Sequence, residues 1–329
     1  MKKQILFVSV LALSLCTKVF GQDQEKREVL EAFVVIATKF NLKKEKTGKV
    51  VHTITQDQIQ KNAGRSVIEL LNTLAGIDVR GVNANPTEPR GVNIRGGRSR
   101  QVLVMIDGVP VTDQSAINQE FDFRLLNLNQ IEKIEILKGA SSTLYGSGAA
   151  TAVINIMLKK VTNKKLSVSF ETSIGTNNTA NSSTNIAAEK NQNITVNANV
   201  NKISFLTSFS LTGTSGMSAA KSNSNIEFEE DNFYKKNGLV KLNYKATSNF
   251  SVETFFNYDE FDYDFDAGAY FDSDVNKGSN RQLRIGLKPT FNYNNSTLYL
   301  LASINEVKRT LDQFNSFANT LDVYSFFGR

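Results

Sequence analysis

The 329-residue chain has one cysteine, one histidine, no tryptophan and only four prolines. A single cysteine excludes an intrachain disulfide framework. A single histidine, His52, excludes His-rich zinc or iron sites and leaves little room for a Ser-His-Asp or Cys-His triad. No apolar run after Gly21 reaches the roughly 18 residues that a membrane helix needs. Neither sign of charge dominates: 38 Lys and Arg against 32 Asp and Glu leave a formal balance of +6, which does not suggest a nucleic-acid binder. The composition is neither disordered nor collagen-like, and the length allows a large core or two domains.

What is present begins with a leader. Lys2 and Lys3 form a positive start, and Ile5 to Cys16 is an apolar stretch too short to span a bilayer. Val19-Phe20-Gly21 supplies tolerated residues before a cleavage site, so residues 1–21 read as a signal peptide ending before Gln22. The alternative is a lipoprotein box at Leu13-Ser14-Leu15-Cys16, against which the bulky Leu15 stands. Cleavage before Gln22 removes Lys2, Lys3 and Lys18, lowering the net charge from +6 to +3, and also removes the cysteine. The mature chain is exported.

From Gln22 to about Lys160 the pattern is mixed α/β. Thr55-x-x-Gln58 and Ser66-x-x-Glu69 read as capping boxes that satisfy the free N–H groups of two helix starts. The second helix carries Val67, Leu70, Leu71 and Leu74 at helical spacing and stops at Gly76. Residues 101–111 read as a hairpin turning at Asp107-Gly108, since Asp-Gly tolerates the positive φ of a tight turn. Ile131 to Leu137 and Val153 to Leu158 are further strands.

After Lys164 apolar and polar residues alternate with period two, predicting seven strands: 166–174, 194–200, 203–211, 240–246, 252–258, 283–293 and 298–304. An eighth begins near Asp322. The connections alternate between long (176–192, 214–236, 266–280, 309–320) and short (Asn201-Lys202, Thr247-Ser248, Asn294-Asn295). Antiparallel strands with long loops at one end and tight turns at the other mark an outer-membrane barrel. A soluble β-sandwich is the alternative, but sandwiches do not regularly alternate loop length. Within residues 259–274, Asp262, Asp264 and Asp266 imitate the start of an EF-hand, but Ala267 and Ser273 stand where that loop needs Gly and Glu. Phe261, Tyr263 and Phe265 instead share one strand face and are expected at an interfacial aromatic girdle.

Four segments make the pattern specific. They are Phe33, Val34, Val35, Ile36, Ala37 and Thr38; then Val67 to Arg80; then Asn93-Ile-Arg95-Gly96 followed by Val102 to Pro110 with Asp107 and Gly108; then Ile131 to Gly139, Leu144-Tyr145-Gly146 and Val153-Ile-Asn155-Ile156. In this order they resemble the TonB box and plug domain of TonB-dependent outer-membrane receptors. Lys133 stands where that family usually has Arg, and Ala150-Thr151-Ala152 replaces a usual Gly-Gly. The box has an ordinary first plug strand as its alternative.

The resemblance implies four regions: signal peptide 1–21, N-terminal extension with TonB box 22–40, mixed α/β plug domain 41–160, and antiparallel transmembrane β-barrel strands 161–329. It implies import of a scarce small ligand (siderophore, haem or cobalamin class, a metal chelate for example) across the outer membrane of a Gram-negative cell by energy-coupled plug rearrangement. Its partners would be TonB, the ligand and outer-membrane lipid, with no nucleic acid and no cofactor. Arg95, Gly96, Asp107, Gly108, Gly139, Tyr145, Gly146 and Asn155 carry the plug motifs. Segments 83–90 and 112–119 are candidate ligand contacts by position, or solvated loops. No enzyme is expected; the alternative is a structural or adhesive barrel without transport. Family barrels have about 22 strands, and the residues after Lys160 suffice for about seven or eight. The chain is therefore expected to be an N-terminal fragment of a receptor.

If the leader is read correctly, N-terminal sequencing of envelope protein should begin at Gln22. A diacylated Cys16 would show the lipoprotein alternative instead.

Overall fold

The computed structural model describes residues 33–34, 42–43 and 47–328, apart from 82–83, 114, 117, 177–187, 216–217, 219, 221–227, 295 and 314–318. The expected signal peptide therefore lies outside the described residues. The first elements are two-residue strands, β1 (Phe33–Val34) and β2 (Leu42–Lys43). Next come β3 (Val50–Ile54), α1 (Gln56–Lys61) and α2 (Val67–Asn72). Both helices start as the sequence predicts. The Thr55 hydroxyl accepts from the Gln58 N–H while the Gln58 side chain accepts from the Thr55 N–H, and Ser66 and Glu69 repeat the exchange. The second helix is shorter than its periodicity suggests. It ends at Asn72, and Leu74 packs on the core from the turn that Gly76, at φ 72°, directs into the next strand.

Two short paired strands follow, β4 (Ile77–Val79) and β5 (Val92–Ile94). The hairpin comprises β6 (Val102–Ile106) and β7 (Val109–Val111), with Asp107 and Gly108 at φ 51° and 83° between them. After β8 (Ile131–Lys138), α3 (Ser142–Tyr145) and β9 (Ala152–Leu158), the first region is complete. Its five-stranded sheet has the order β3-β8-β9-β6-β7, with β6 and β9 parallel and the other pairs antiparallel. Pro110 sits in β7, an edge strand, where its missing N–H breaks no ladder. Ile131, Ile134, Ile136, Ile154 and Ile156 in the central strands are fully buried, each worth about 1.5–3 kcal/mol relative to exposure.

The second region is a single antiparallel sheet, which we call the wall. It runs through β10 (Leu166–Gly175), β11 (Glu189–Val200), β12 (Ile203–Thr214), β13 (Phe233–Lys245), β14 (Phe250–Asp264) and β15 (Lys277–Tyr293). It ends with β16 (Ser296–Tyr299), β17 (Ala302–Asp312) and β18 (Asn319–Gly328). All nine strands belong to one sheet: eight lie side by side and β16 pairs only with the end of β15. The expected strand 298–304 is thus split in two. Strands β13, β14 and β15 also start earlier or end later than the apolar alternation, because their long-connection ends are rich in charged and amide residues, joined by aromatics only in β13 and β14.

The wall is inside-out relative to a soluble sandwich. Asn193, Thr195, Asn197, Ser208, Ser210, Asn237, Asn257, Asn280 and Gln282 are buried on one face. Val168, Phe170, Ile194, Phe209, Val240, Ile285 and Ile304 are exposed on the other. The aromatic expectation is corrected here. Phe261 is fully buried on the inward face, packed on Phe233 and Tyr263 with ring centroids 5.4 and 5.7 Å apart, rather than set in an outward girdle. The main apolar core joins the first region to the wall, since Leu206, Phe233, Leu239 and Phe261 belong to the same cluster as Ile134 and Ile154.

Replacing Ile136 by Ala should destabilise the first region by about 2–5 kcal/mol, and replacing the capping residue Ser66 by Ala by about 1 kcal/mol. Hydrogen exchange across β8 and β9 checks the order. Equal losses would mean that the core is not centred on those strands.

Candidate functional site

The residues singled out in the first region gather at two corners and one outlying helix. At the first corner, Arg95 (φ 52°) and Gly96 (φ 75°) turn the chain after β5, and the Arg95 N–H donates to the Gly76 carbonyl at 3.1 Å. A Cβ on Gly139 would lie 3.5 Å from Arg95 Nη1, so the arginine lies across that glycine. Lys138 points back to the Ala75 carbonyl; burial and then the charge of Arg95 lower its pKa. Close by, a Cβ on Gly97 would meet the Thr151 side chain at 2.3 Å. Thr151, one of the residues standing where the family has glycines, thus packs against a position that must stay glycine.

The second corner brings together Asp107, Gly108 and Asn155. Asn155 Oδ1 accepts from the Gly108 N–H at 3.3 Å, and Asp107 Oδ1 accepts from the Leu158 N–H at 3.0 Å. The other carboxylate oxygen of Asp107 receives Lys241 Nζ of β13 at 2.7 Å. Lys241 is only 3% exposed and donates also to the Leu158 carbonyl. One side chain of the wall therefore ties the hairpin turn and the end of β9 together. Tyr145 and Gly146 lie apart from both corners. Gly146 (φ 82°) closes α3 by donating to the Ser142 carbonyl at 2.8 Å, and Tyr145 packs on the smaller cluster of Val51, Leu103, Met105, Leu137 and Val153. Of the hexapeptide expected as a TonB box, Phe33 and Val34 are a two-residue strand, while Val35, Ile36, Ala37 and Thr38 lie outside the described residues.

Toward the long-connection end of the wall, the contacts keep one polarity. Lys235 donates to the Leu126 carbonyl at 2.7 Å and Asn237 to the Leu125 carbonyl at 2.6 Å. Arg309 of β17 pairs with Asp113 and lies 3.9 Å from Asp122. In each case the wall donates and the first region accepts. Asp122 is itself held by Arg124. Burial opposes both charges, yet the charge and hydrogen bonds of Arg124, with Arg309 behind it, hold the Asp122 carboxyl below its ordinary range. Asp122 in turn holds the Arg124 guanidinium above its own.

The described residues of the candidate ligand-contact segments are partly buried. Asn85, Thr87 and Asp113 are buried, and Arg90 closes the first segment by donating to the Ala84 carbonyl at 2.6 Å. Beside them a cavity of about 480 Å³, within the range of small-molecule sites, opens between the first region and β10–β13; Arg90, Asp122, Arg124, Glu189 and Lys235 are among its lining. In the wall's long connections, Glu229, Asp266 and Asp272 each bring a carboxylate oxygen within 4.8 Å of the others. Burial, then a shared hydrogen bond with Asp272, raises the Glu229 carboxyl to about 7, so a retained proton relieves the repulsion. His52 lies in β3 opposite Ile136.

Lys241, Arg309, Arg124 and Asp122 were not singled out from the sequence. Parity along β13 and β17 places Lys241 and Arg309 on the polar face with Asn237 and Asn305, which is the signal that could have found them. Replacing Lys241 by Met should leave Asp107 without its partner and destabilise the first region by about 3 kcal/mol. Adding Asp107→Asn should recover more than half of that loss. Urea unfolding of the two variants measures both, and an unaltered midpoint for Lys241→Met would mean that the pair bears no load.

Residues 43–153 match the family model described as TonB-dependent Receptor Plug Domain. The chain is 34% identical over 157 residues to the vitamin B12 transporter BtuB of Photobacterium profundum, an overlap of 48% of this chain and 25% of the relative. It is 33% identical over 141 residues to the ferrienterobactin receptor of Escherichia coli, covering 40% of this chain and 18% of that protein. In fold it is similar to the siderophore receptor PirA of Acinetobacter baumannii, with a TM-score of 0.65 at 19% identity over 84% of this chain and 44% of that one. The chain thus spans about a quarter or less of the length of these curated relatives. It carries a TonB-dependent receptor plug domain, joined to part of an antiparallel barrel sheet of the kind those receptors have.

Proposed function

We propose that the chain is part of an outer-membrane receptor that imports a scarce small ligand, of the siderophore, haem or cobalamin class, by energy-coupled rearrangement of the plug. The observation that carries this reading is the seam between plug and wall. Beside its apolar contacts it carries a polar set, with wall cations and amides donating to plug carboxylates and carbonyls, as in Lys241 to Asp107 and Asn237 to Leu125. A wide barrel encloses an aqueous lumen that must be sealed. A polar seam seals it while letting water satisfy both sides when they part, which a wholly apolar seam would not allow.

The outward face supports a membrane setting. Exposed Val168, Phe170, Ile194, Val240 and Ile285 would suit hydrocarbon, where every strand N–H and C=O must be paired within the sheet. Relatives named as a vitamin B12 transporter and a ferrienterobactin receptor fit the proposed ligand class. The four regions expected from the sequence complete the proposal: export by residues 1–21, a TonB-binding extension over 22–40, the plug over 41–160 and barrel strands over 161–329. In this reading Phe33 to Thr38 adds as a strand to TonB, so that main-chain hydrogen bonds carry the pull.

The test is Val35→Pro, which removes a ladder donor and bars the neighbouring pairing. In the intact receptor, energised uptake should fall to background while ligand binding at the cell surface persists. Unchanged uptake would return the hexapeptide to an ordinary plug strand and favour a barrel without active transport.

A further inference from the structure

Arg124 touches three separate parts of the molecule. Its Nε donates to Asp122 Oδ1 at 3.0 Å and its Nη2 to Asp122 Oδ2 at 2.8 Å, a forked pair that only a guanidinium can make. Its Nη1 donates to the Thr87 carbonyl, in the segment that Arg90 and Asn85 fold back on itself. Its face lies 4.5 Å from the centroid of Phe261 and 4.7 Å from that of Tyr263, both in β14 of the wall. The side chain is 8% exposed.

The chain of contacts continues from Asp122. Arg309 lies 3.9 Å from that carboxylate and pairs with Asp113, whose own Oδ1 accepts the Ser115 N–H at 2.9 Å. Segments 84–90 and 113–122 are far apart in sequence and share no strand pairing with each other. Yet each ends on the same guanidinium, the first through Thr87 and the second through Asp122. The position is fixed from the wall side by two aromatic rings near the long-connection end of β14.

We propose that Arg124 is a positioning residue that locks residues 84–90 of the first candidate ligand-contact segment and the described residues of 113–122, which run on from the second (112–119), to each other and to β14, so that a ligand displacing either stretch displaces both. This rests on reading the chain as a ligand importer, but its test needs no ligand. A failed uptake assay would leave the coupling intact, and a failed coupling would leave import intact. Lysine is a poor replacement, because its donors sit on one nitrogen, whereas Asp122 and Thr87 are held by separate nitrogens of the fork.

Hydrogen exchange followed by mass spectrometry on the full chain in detergent decides it, using peptides covering 84–92, 112–121 and the sheet strands β8 and β9. Arg124→Met should speed exchange about tenfold or more in both segments, with β8 and β9 unchanged. Arg124→Lys should loosen 84–92 while 112–121 stays protected. Arg309→Met should do the reverse, since Arg309 reaches Asp113 and Asp122 but not Thr87. The proposal is overturned if Arg124→Met frees one segment only, if it loosens β8 and β9 equally, or if Arg124→Lys exchanges like the parent. Should Arg124→Met fail to fold, the opposite responses of the other two variants still decide the matter.

Discussion

The buried ion pair between Lys241 and Asp107 shows the constraint on which the rest of the structure depends. The wall presents polar groups on its inward face, and the folded domain packed against that face buries them. Each buried donor needs an acceptor, or its desolvation is uncompensated. The plug meets this demand with carboxylates and with carbonyls that its own strands leave free: Asp107, Asp113, Asp122, and the main chain at Leu125, Leu126 and Leu158. Leu125 and Leu126 offer theirs at the end of a single 3-10 turn between β7 and β8, and Leu158 at the end of β9, where no continuing ladder claims them.

This division of labour explains how the two regions differ in composition. The plug has an ordinary core, with β8 and β9 supplying fully buried isoleucines on one face and Leu137 and Val153 on the other. The wall's inward face is polar over much of its area and bonds partly within the sheet, as in Ser208 and Ser210 to Asn193 and Gln282 to Asn305. Lys235, Asn237, Lys241 and Arg309 reach the plug, and the outward side chains are exposed aliphatics and aromatics. Apolar contact across the seam comes from Leu206, Phe233, Leu239 and Phe261, which join the plug's main core, and from Phe255 and Leu301, which cluster with Val109.

Local chemistry was legible in the sequence wherever one residue's backbone preference decides the outcome. The capping boxes at Thr55 and Ser66, the Asp107-Gly108 turn and the period-two strands are all of this kind. Pairings across more than a hundred residues were not legible, because nothing near Lys241 in sequence indicates that Asp107 will lie opposite it. The aromatic stretch is an intermediate case. Parity carried along β14 from Asn257 and Asp259 leads to Phe261 on the same inward face, so the signal existed. Treating Phe261, Tyr263 and Phe265 as a local motif hid it, and hid with it the rings on which Arg124 rests. The length of α2 was misjudged for a related reason: Leu74 has helical spacing, but Gly76 needs the turn before it to face β4.

The seam's two ion pairs share one arrangement with the roles exchanged. Near the short-turn end the wall cation Lys241 is 3% exposed and its partner Asp107 21%; at the long-connection end Arg309 is 22% exposed and the carboxylate Asp113 2%. Each pair therefore couples one buried charge to one that water still reaches. Taking away the exposed member strands a buried charge, which costs far more than a surface pair is worth. At one end the stranded charge would belong to the wall and at the other to the plug, so neither region can lose its partner at the seam without leaving an uncompensated charge behind.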